Sequence, residues 1–230
     1  MDLAMKLFKR PHSGRSRGAS ERACAAIEDR ELVTRLLARD PAAFTGLVRA
    51  QHDSLVRLAL VFVGNRATAE EVAQDTWTRM LAALAQFEGR SSVRTWIFRI
   101  CTNAALTRAE RESRSAPFSS LQDPDGPEVE PQRFDDSGEW ADPPHAWRAE
   151  TPEKILERAE ALACIERTLD ELPPAQRAVV LLRDVEGLDA EEACSILQVR
   201  ESNQRVLLHR GRSKIRRALE KLLGEGRFPC

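Results

Sequence analysis

The chain has 230 residues, 42% of them hydrophobic, and balances 35 lysines and arginines against 36 acids for a formal net charge of −1. That length allows one large domain or two small ones, and the charge excludes a polycation, so nucleic-acid contacts must come from local concentrations of basic residues. Tyrosine is absent, glycine is scarce, and no apolar run reaches the roughly 18 residues of a membrane span, so helix is favoured and no transmembrane helix is expected.

Residues 1–25 are basic, serine-rich and aperiodic, and are expected to form a disordered tail. They lack the apolar core of a signal peptide, which makes a reducing cytoplasm the simplest location. A short helix is predicted at 28–39, with Leu32, Val33, Leu36 and Leu37 as its stripe. Asp40-Pro41 marks a new start, with Asp as cap and Pro in the first turn. The helix it opens carries Phe44, Leu47, Val48, Leu55, Leu58 and Phe62 on one face and ends at Gly64-Asn65. Thr68-Ala-Glu-Glu71 reads as a capping box. Val72, Ala73, Trp77, Met80, Leu81 and Leu84 make the buried stripe of the next helix, which runs to about Phe87. After a polar loop, Glu88-Gly89-Arg90-Ser91, Ser92 caps a fourth helix over roughly 93–113. Trp96, Ile97, Ile100, Cys101 and Ala104 are expected inward, and Arg94, Arg99, Arg108 and Arg111 on its other faces.

Periodicity stops near residue 115. Residues 115–150 contain six prolines and nine acids against two arginines, a net charge of −7, which reads as an extended linker. Helical spacing resumes at Thr151-Pro152-Glu153 with Ile155, Leu162, Ile165 and Leu169. Pro173-Pro174 opens an apolar helix that Gly187 stops, and Asp189-Ala-Glu-Glu192 caps a short one. The last helix holds seven basic residues against one acid between 200 and 217. Arg205, His209, Arg212 and Arg216 recur on one face, and Leu208, Ile215, Leu219 and Leu222 on another. This order is a helix-turn-helix with a basic final helix suited to the major groove. The fold class is therefore all-α. The domain plan is a tail at 1–25, a helical domain at 26–113, a flexible acidic linker at 114–151, a helix-turn-helix domain at 152–224 and a tail at 225–230.

An enzyme would need a site, and none is legible. His12, His52, His145 and His209 are dispersed, and no metal spacing, P-loop or GxSxG occurs, so no catalytic residue, cofactor or metal is expected. The five cysteines are odd in number and form no CxxC; Cys101, Cys164 and Cys194 read as inert core residues rather than a redox switch.

Two blocks carry a family resemblance. Residues 40–108, DPAAFTGLVRAQHDSLVRLALVFVGNRATAEEVAQDTWTRMLAALAQFEGRSSVRTWIFRICTNAALTR, resemble region 2 of bacterial sigma-70 factors, and the C-terminal helix-turn-helix block resembles region 4. Together they span about half of the chain, and with a short linker between them the chain is similar to the small extracytoplasmic-function group. The resemblance implies an RNA polymerase sigma factor that directs the core enzyme to promoters and helps to open them. Its partners would be core polymerase, through the β′ clamp helices and the β flap, and promoter DNA. An anti-sigma protein is a further partner of many such factors, although no residue here identifies one.

Carried over, Glu71, Gln74, Asp75 and Arg79 would dock on the clamp helices. Arg90, Ser91, Arg94, Arg99, Asn103 and Arg108 would meet the −10 element, where a captured unstacked base repays the cost of extruding it. Arg200, Ser202, Asn203, Arg205, His209, Arg210 and Arg212 would meet the −35 element, Arg pairing with guanine and Asn with adenine. Two positions depart from the family. Thr102 stands before Asn103 where a basic residue is common, which removes one expected phosphate contact; Gly211 stands where Ala is usual, pointing to a softer helix or a close backbone approach. The alternative reading is a helix-turn-helix regulator that binds operator DNA without polymerase.

Overall fold

The computed structural model describes residues 19–112 and 152–224, and no strand occurs among them. The expected linker at 114–151, the tail at 225–230 and the first part of the N-terminal tail lie outside the described residues. The helices are α1 (Ala19–Leu37), α2 (Pro41–Val63), α3 (Arg66–Ala83), α4 (Val93–Arg111), α5 (Pro152–Glu171), α6 (Pro174–Val180), α7 (Ala190–Leu197) and α8 (Glu201–Gly224). By contact they fall into two compact units, α1–α4 with α7, and α5, α6 and α8. None of these helices is long and apolar enough to cross a membrane.

The local signals explain most boundaries of the first unit. Asp40 accepts from the Ala42 and Ala43 amides at 2.8 and 3.3 Å, and Gly64 closes α2 with φ +75°. Arg35, hydrogen-bonded to Asp40, and then those two amides hold the Asp40 carboxyl below the usual carboxylate range. Ser92 caps α4 as expected, accepting from the Thr95 amide at 3.1 Å. The Val93 amide, one of the donors a helix start leaves unpaired, donates to Asp29 of α1 at 3.0 Å.

Four expectations need correction. First, α1 begins at Ala19, not near residue 28, because Ala, Glu and Arg there favour helix without marking an apolar stripe. Second, α3 is capped by Asn65, which takes the Thr68 amide at 2.8 Å, so Thr68 sits buried inside the first turn. Third, Leu37 and Leu81 are exposed: Leu36 takes the buried place on α1, and Met80 and Leu84 already continue the buried row of Val72, Ala73, Thr76 and Trp77 on α3. Fourth, Trp96 and Ile100 are half-buried, while Phe98 and Val93 are fully buried beside Ile97, Cys101 and Ala104.

Leu55 and Leu58 of α2, Met80 of α3 and Ile97 and Phe98 of α4 are sealed from solvent and form the centre of this unit. Each such side chain contributes about 1.5–3 kcal/mol. Trp77 is buried at its edge, donating from Nε1 to His52 Nδ1 at 3.3 Å and meeting the Phe44 ring edge-on. The Cys101 thiol points at the Leu55 carbonyl, 3.5 Å away, and burial pushes its pKa up to about 12. Cys101 should therefore resist iodoacetamide at pH 8 in the folded chain and react only after denaturation, as mass spectrometry of the labelled peptides would record. Labelling of native protein at Cys101 would contradict this burial.

In the second unit α6 opens at Pro174 and its last turn widens into a π-turn at Leu181–Val185, ending before Gly187 at φ +66°. Arg183 Nη1 donates to the Leu188 carbonyl at 2.5 Å and ties down the exit. α8 crosses α6 at Gly211, where an added Cβ would fall 2.6 Å from Val180 Cγ2. The departure from alanine is therefore explained by a close approach. Leu207, Leu208, Ile215 and Leu219 bury the inner face of α8, and Leu222 is half-buried.

Candidate polymerase and promoter interfaces

Glu71, Gln74, Asp75 and Arg79 recur along α3 at helical spacing, and all four are exposed. They line a cleft of about 230 Å³ whose other wall is Ala104, Thr107, Arg108 and Arg111 of α4. Arg108 spans the wall, reaching Glu71 at 3.1 Å and Glu112 at 2.7 Å. The Glu112 carboxylate foremost, with Glu71 and Asp75, holds this guanidinium more firmly protonated than usual. So the structure gathers the four expected docking residues, and it places Arg108, expected at DNA, in their cleft.

The remaining residues expected at the −10 element are spread around the start and middle of α4. Gly89 turns the loop with φ +70°, a conformation other residues rarely adopt. Arg90 is exposed and pairs with Glu88. Ser91 is half-buried, its hydroxyl near the Ser92 carbonyl at 3.4 Å. Arg94 donates to Gln51 at 3.2 Å and lies 5.2 Å over the Phe98 ring. Arg99 is half-buried and Asn103, four residues on, is exposed on the same side. Trp96 packs on Phe87 with ring centroids 5.0 Å apart, leaving part of it open beside the loop. Thr102 is buried, so a basic residue at this position would not face a phosphate and the departure costs no such contact. Glu192 of α7, in the same unit, accepts from Thr95 at 2.9 Å and from Ser92 at 3.4 Å.

The capping box of α7 forms as expected: the Glu192 amide donates to Asp189 at 2.9 Å and the Asp189 amide to Glu192 at 3.0 Å. Gln198 ends α7 with φ +56°, and the Arg200 carbonyl accepts from the Gln204 amide at 2.9 Å to begin α8. Arg200, Ser202, Asn203 and Arg205 are exposed on its first turns, Arg205 paired with Glu201 at 2.6 Å. His209 and Arg210 are half-buried. Burial first, then the Arg212 charge, holds the His209 imidazole below its usual range and favours the neutral ring at pH 7.

The expected basic stripe turns inward from there. Arg212 grips Asp184 through Nε–Oδ2 at 3.0 Å and Nη2–Oδ1 at 2.5 Å, with its side chain only 12% exposed. Arg216 is buried and donates to Glu220 at 2.8 Å. The outward face is instead Ser202, Asn203, Arg205, Val206 and Arg217, and Val206 is not among the residues expected at DNA. Its signal in the sequence is an apolar residue three after Asn203 and four before Arg210, at helical spacing with both.

Two stretches of the chain match family models, Sigma-70 region 2 at residues 47–115 and Sigma-70, region 4 at residues 162–215. The chain is also 30% identical over 199 residues to the RNA polymerase sigma-H factor of Pseudomonas aeruginosa, covering 86% of this chain and 97% of that one. This chain belongs to the sigma-70 family of RNA polymerase sigma factors. Similarity extends to members named for extracytoplasmic function, the group to which this sigma factor belongs. The ECF sigma-E factor of Escherichia coli K12 is 26% identical over 197 residues, 86% of this chain and 97% of that one. The fold of this sigma factor is similar to that of CnrH, solved in complex with the cytosolic domain of CnrY, at 22% identity and a TM-score of 0.51, covering 86% of this chain and 99% of that one. The α3–α4 cleft and the loop before α4 lie within region 2, and the outward turns of α8 within region 4.

Proposed function

We propose that this sigma factor binds core RNA polymerase in the cytoplasm, directs it to promoters through their −35 and −10 elements, and helps to melt the DNA. The observation that carries this reading is the pairing of region 2 and region 4 on one chain, within an alignment covering 86% of it. The protein acts by binding, without chemistry of its own. Labour divides between residues 26–113 and 152–224, with 114–151 as the acidic connection.

The cleft lined by Glu71, Gln74, Asp75 and Arg79 suits the β′ clamp helices, while region 4 meets the β flap. Arg108 faces that cleft and contributes to docking before DNA. Arg90, Ser91, Arg94, Arg99 and Asn103 serve the −10 element, the exposed Arg90 and Asn103 being best placed to hold an opened strand. Arg200, Ser202, Asn203 and Arg205 enter the −35 groove, His209 and Arg210 support them at its edge, and Arg212 positions the helix through Asp184. CnrH is held by the cytosolic domain of CnrY, and an anti-sigma protein of that kind is proposed for this factor too.

Transcription from a mixed promoter pool by purified core polymerase, with and without the protein, tests the reading. Protein-dependent transcripts sharing −35 and −10 sequences are expected. No initiation, with tight binding to duplex DNA alone, would replace the sigma reading by an operator-binding regulator.

A further inference from the structure

Val206 is 47% exposed, and the other large apolar side chains this open among the described residues, Ile27, Leu37 and Leu81, lie on α1 and α3. It projects from the second turn of α8, three residues after Asn203 and four before Arg210. Its near neighbours on the outward face are polar or basic: Ser202, Asn203 and Arg205. A β-branched residue has no advantage in an exposed helical turn, where Ala, Lys or Gln would favour the helix more. Nor does Val206 serve the core, whose contacts on this helix come from Leu207 and Leu208.

An apolar side chain ringed by hydrogen-bonding groups fits a surface that is mostly polar with one apolar point. The major groove presents such a surface. Every base pair presents both donors and acceptors there, and thymine alone adds a methyl group. We propose that Val206 reads the C5 methyl of a thymine in the −35 element and is a specificity-determining residue of this sigma factor. The proposal rests on the reading of α8 as the −35 helix and adds to it a contact made by shape and hydrophobicity. Burying one methyl group between Val206 and the base is worth about fourfold in affinity.

The test uses the full chain in holoenzyme with core polymerase and a promoter recovered from the pool. Each −35 thymine is replaced in turn by deoxyuridine, which removes the methyl and keeps every hydrogen-bonding group. One replacement should weaken parent holoenzyme binding about fourfold. Val206→Ala holoenzyme should show no such loss, and should match the parent on the deoxyuridine template. Alanine at this exposed position keeps the helix intact. The inference is overturned if no replacement weakens the parent, if Val206→Ala keeps the discrimination, or if the −35 element has no thymine. A scrambled −35 element provides the other comparison. If scrambling has no effect, the assignment of α8 itself falls; if scrambling weakens binding and deoxyuridine does not, only the role of Val206 falls.

Discussion

Asp184→Ala should destabilise the second unit by about 3 kcal/mol, the larger of the two stability losses expected here. The two side chains of the pair are only 12% and 15% exposed, and the guanidinium makes two parallel bonds to the carboxylate. Removing the carboxylate leaves a cation with little access to water and without its principal counter-charge. The cost is then much larger than the ~0–1 kcal/mol typical of an exposed pair. Chemical denaturation of the full chain followed by circular dichroism would measure it. A change below about 0.5 kcal/mol would mean that the pair behaves as a surface contact. Arg212→Ala should behave similarly and change the salt dependence of promoter binding little, since Arg212 is engaged with protein.

Gly211→Ala should also destabilise, against the usual direction for a helix. An interior glycine replaced by alanine ordinarily gains up to about 1 kcal/mol. Here the new Cβ would lie 2.6 Å from Val180 Cγ2, a stiff β-branched side chain sealed in the core. Overpacking of this kind costs about 1–3 kcal/mol, so steric strain outweighs propensity and a net loss of about 1–2 kcal/mol is expected. Val180→Ala opens the space that the added methyl group would occupy. The double variant should therefore be more stable than the sum of the single losses, by about 1 kcal/mol in a double-mutant cycle. A stabilising Gly211→Ala would show that α6 and α8 yield at the crossing.

These two positions mark the limit of what could be read from residues in order. Caps act within three or four residues, so Asp40, Ser92 and the Asp189–Glu192 box were legible as helix starts. The one displaced cap, Asn65 for Thr68, arose because two cap-forming side chains stood three apart and the earlier one captured the later one's amide. Exposure of the basic face of α8 depends on partners far along the chain. Asp184 stands 28 residues before Arg212, and spacing within a helix cannot announce that pairing. The same holds for Arg108, whose helical position fits either DNA or the α3 cleft until Glu71 is seen opposite it. The common exposed face of Glu71, Gln74, Asp75 and Arg79 was legible because all four stand on one helix at helical spacing. Val206 escaped because apolar residues in a helix are ordinarily assigned to the core.

The seating of Trp77 between His52 and Phe44 has a spectroscopic consequence. Among the described residues the tryptophans are Trp77 and Trp96, both in the α1–α4 unit, and residues 152–224 contain none. The emission of these two indoles reports on the α1–α4 unit and not on α5, α6 and α8. Far-ultraviolet ellipticity registers the helices of both units. With Trp140 and Trp147 replaced by phenylalanine, the two signals followed through one titration would separate the unfolding of the α1–α4 unit from that of the remaining helices without a label or a truncation.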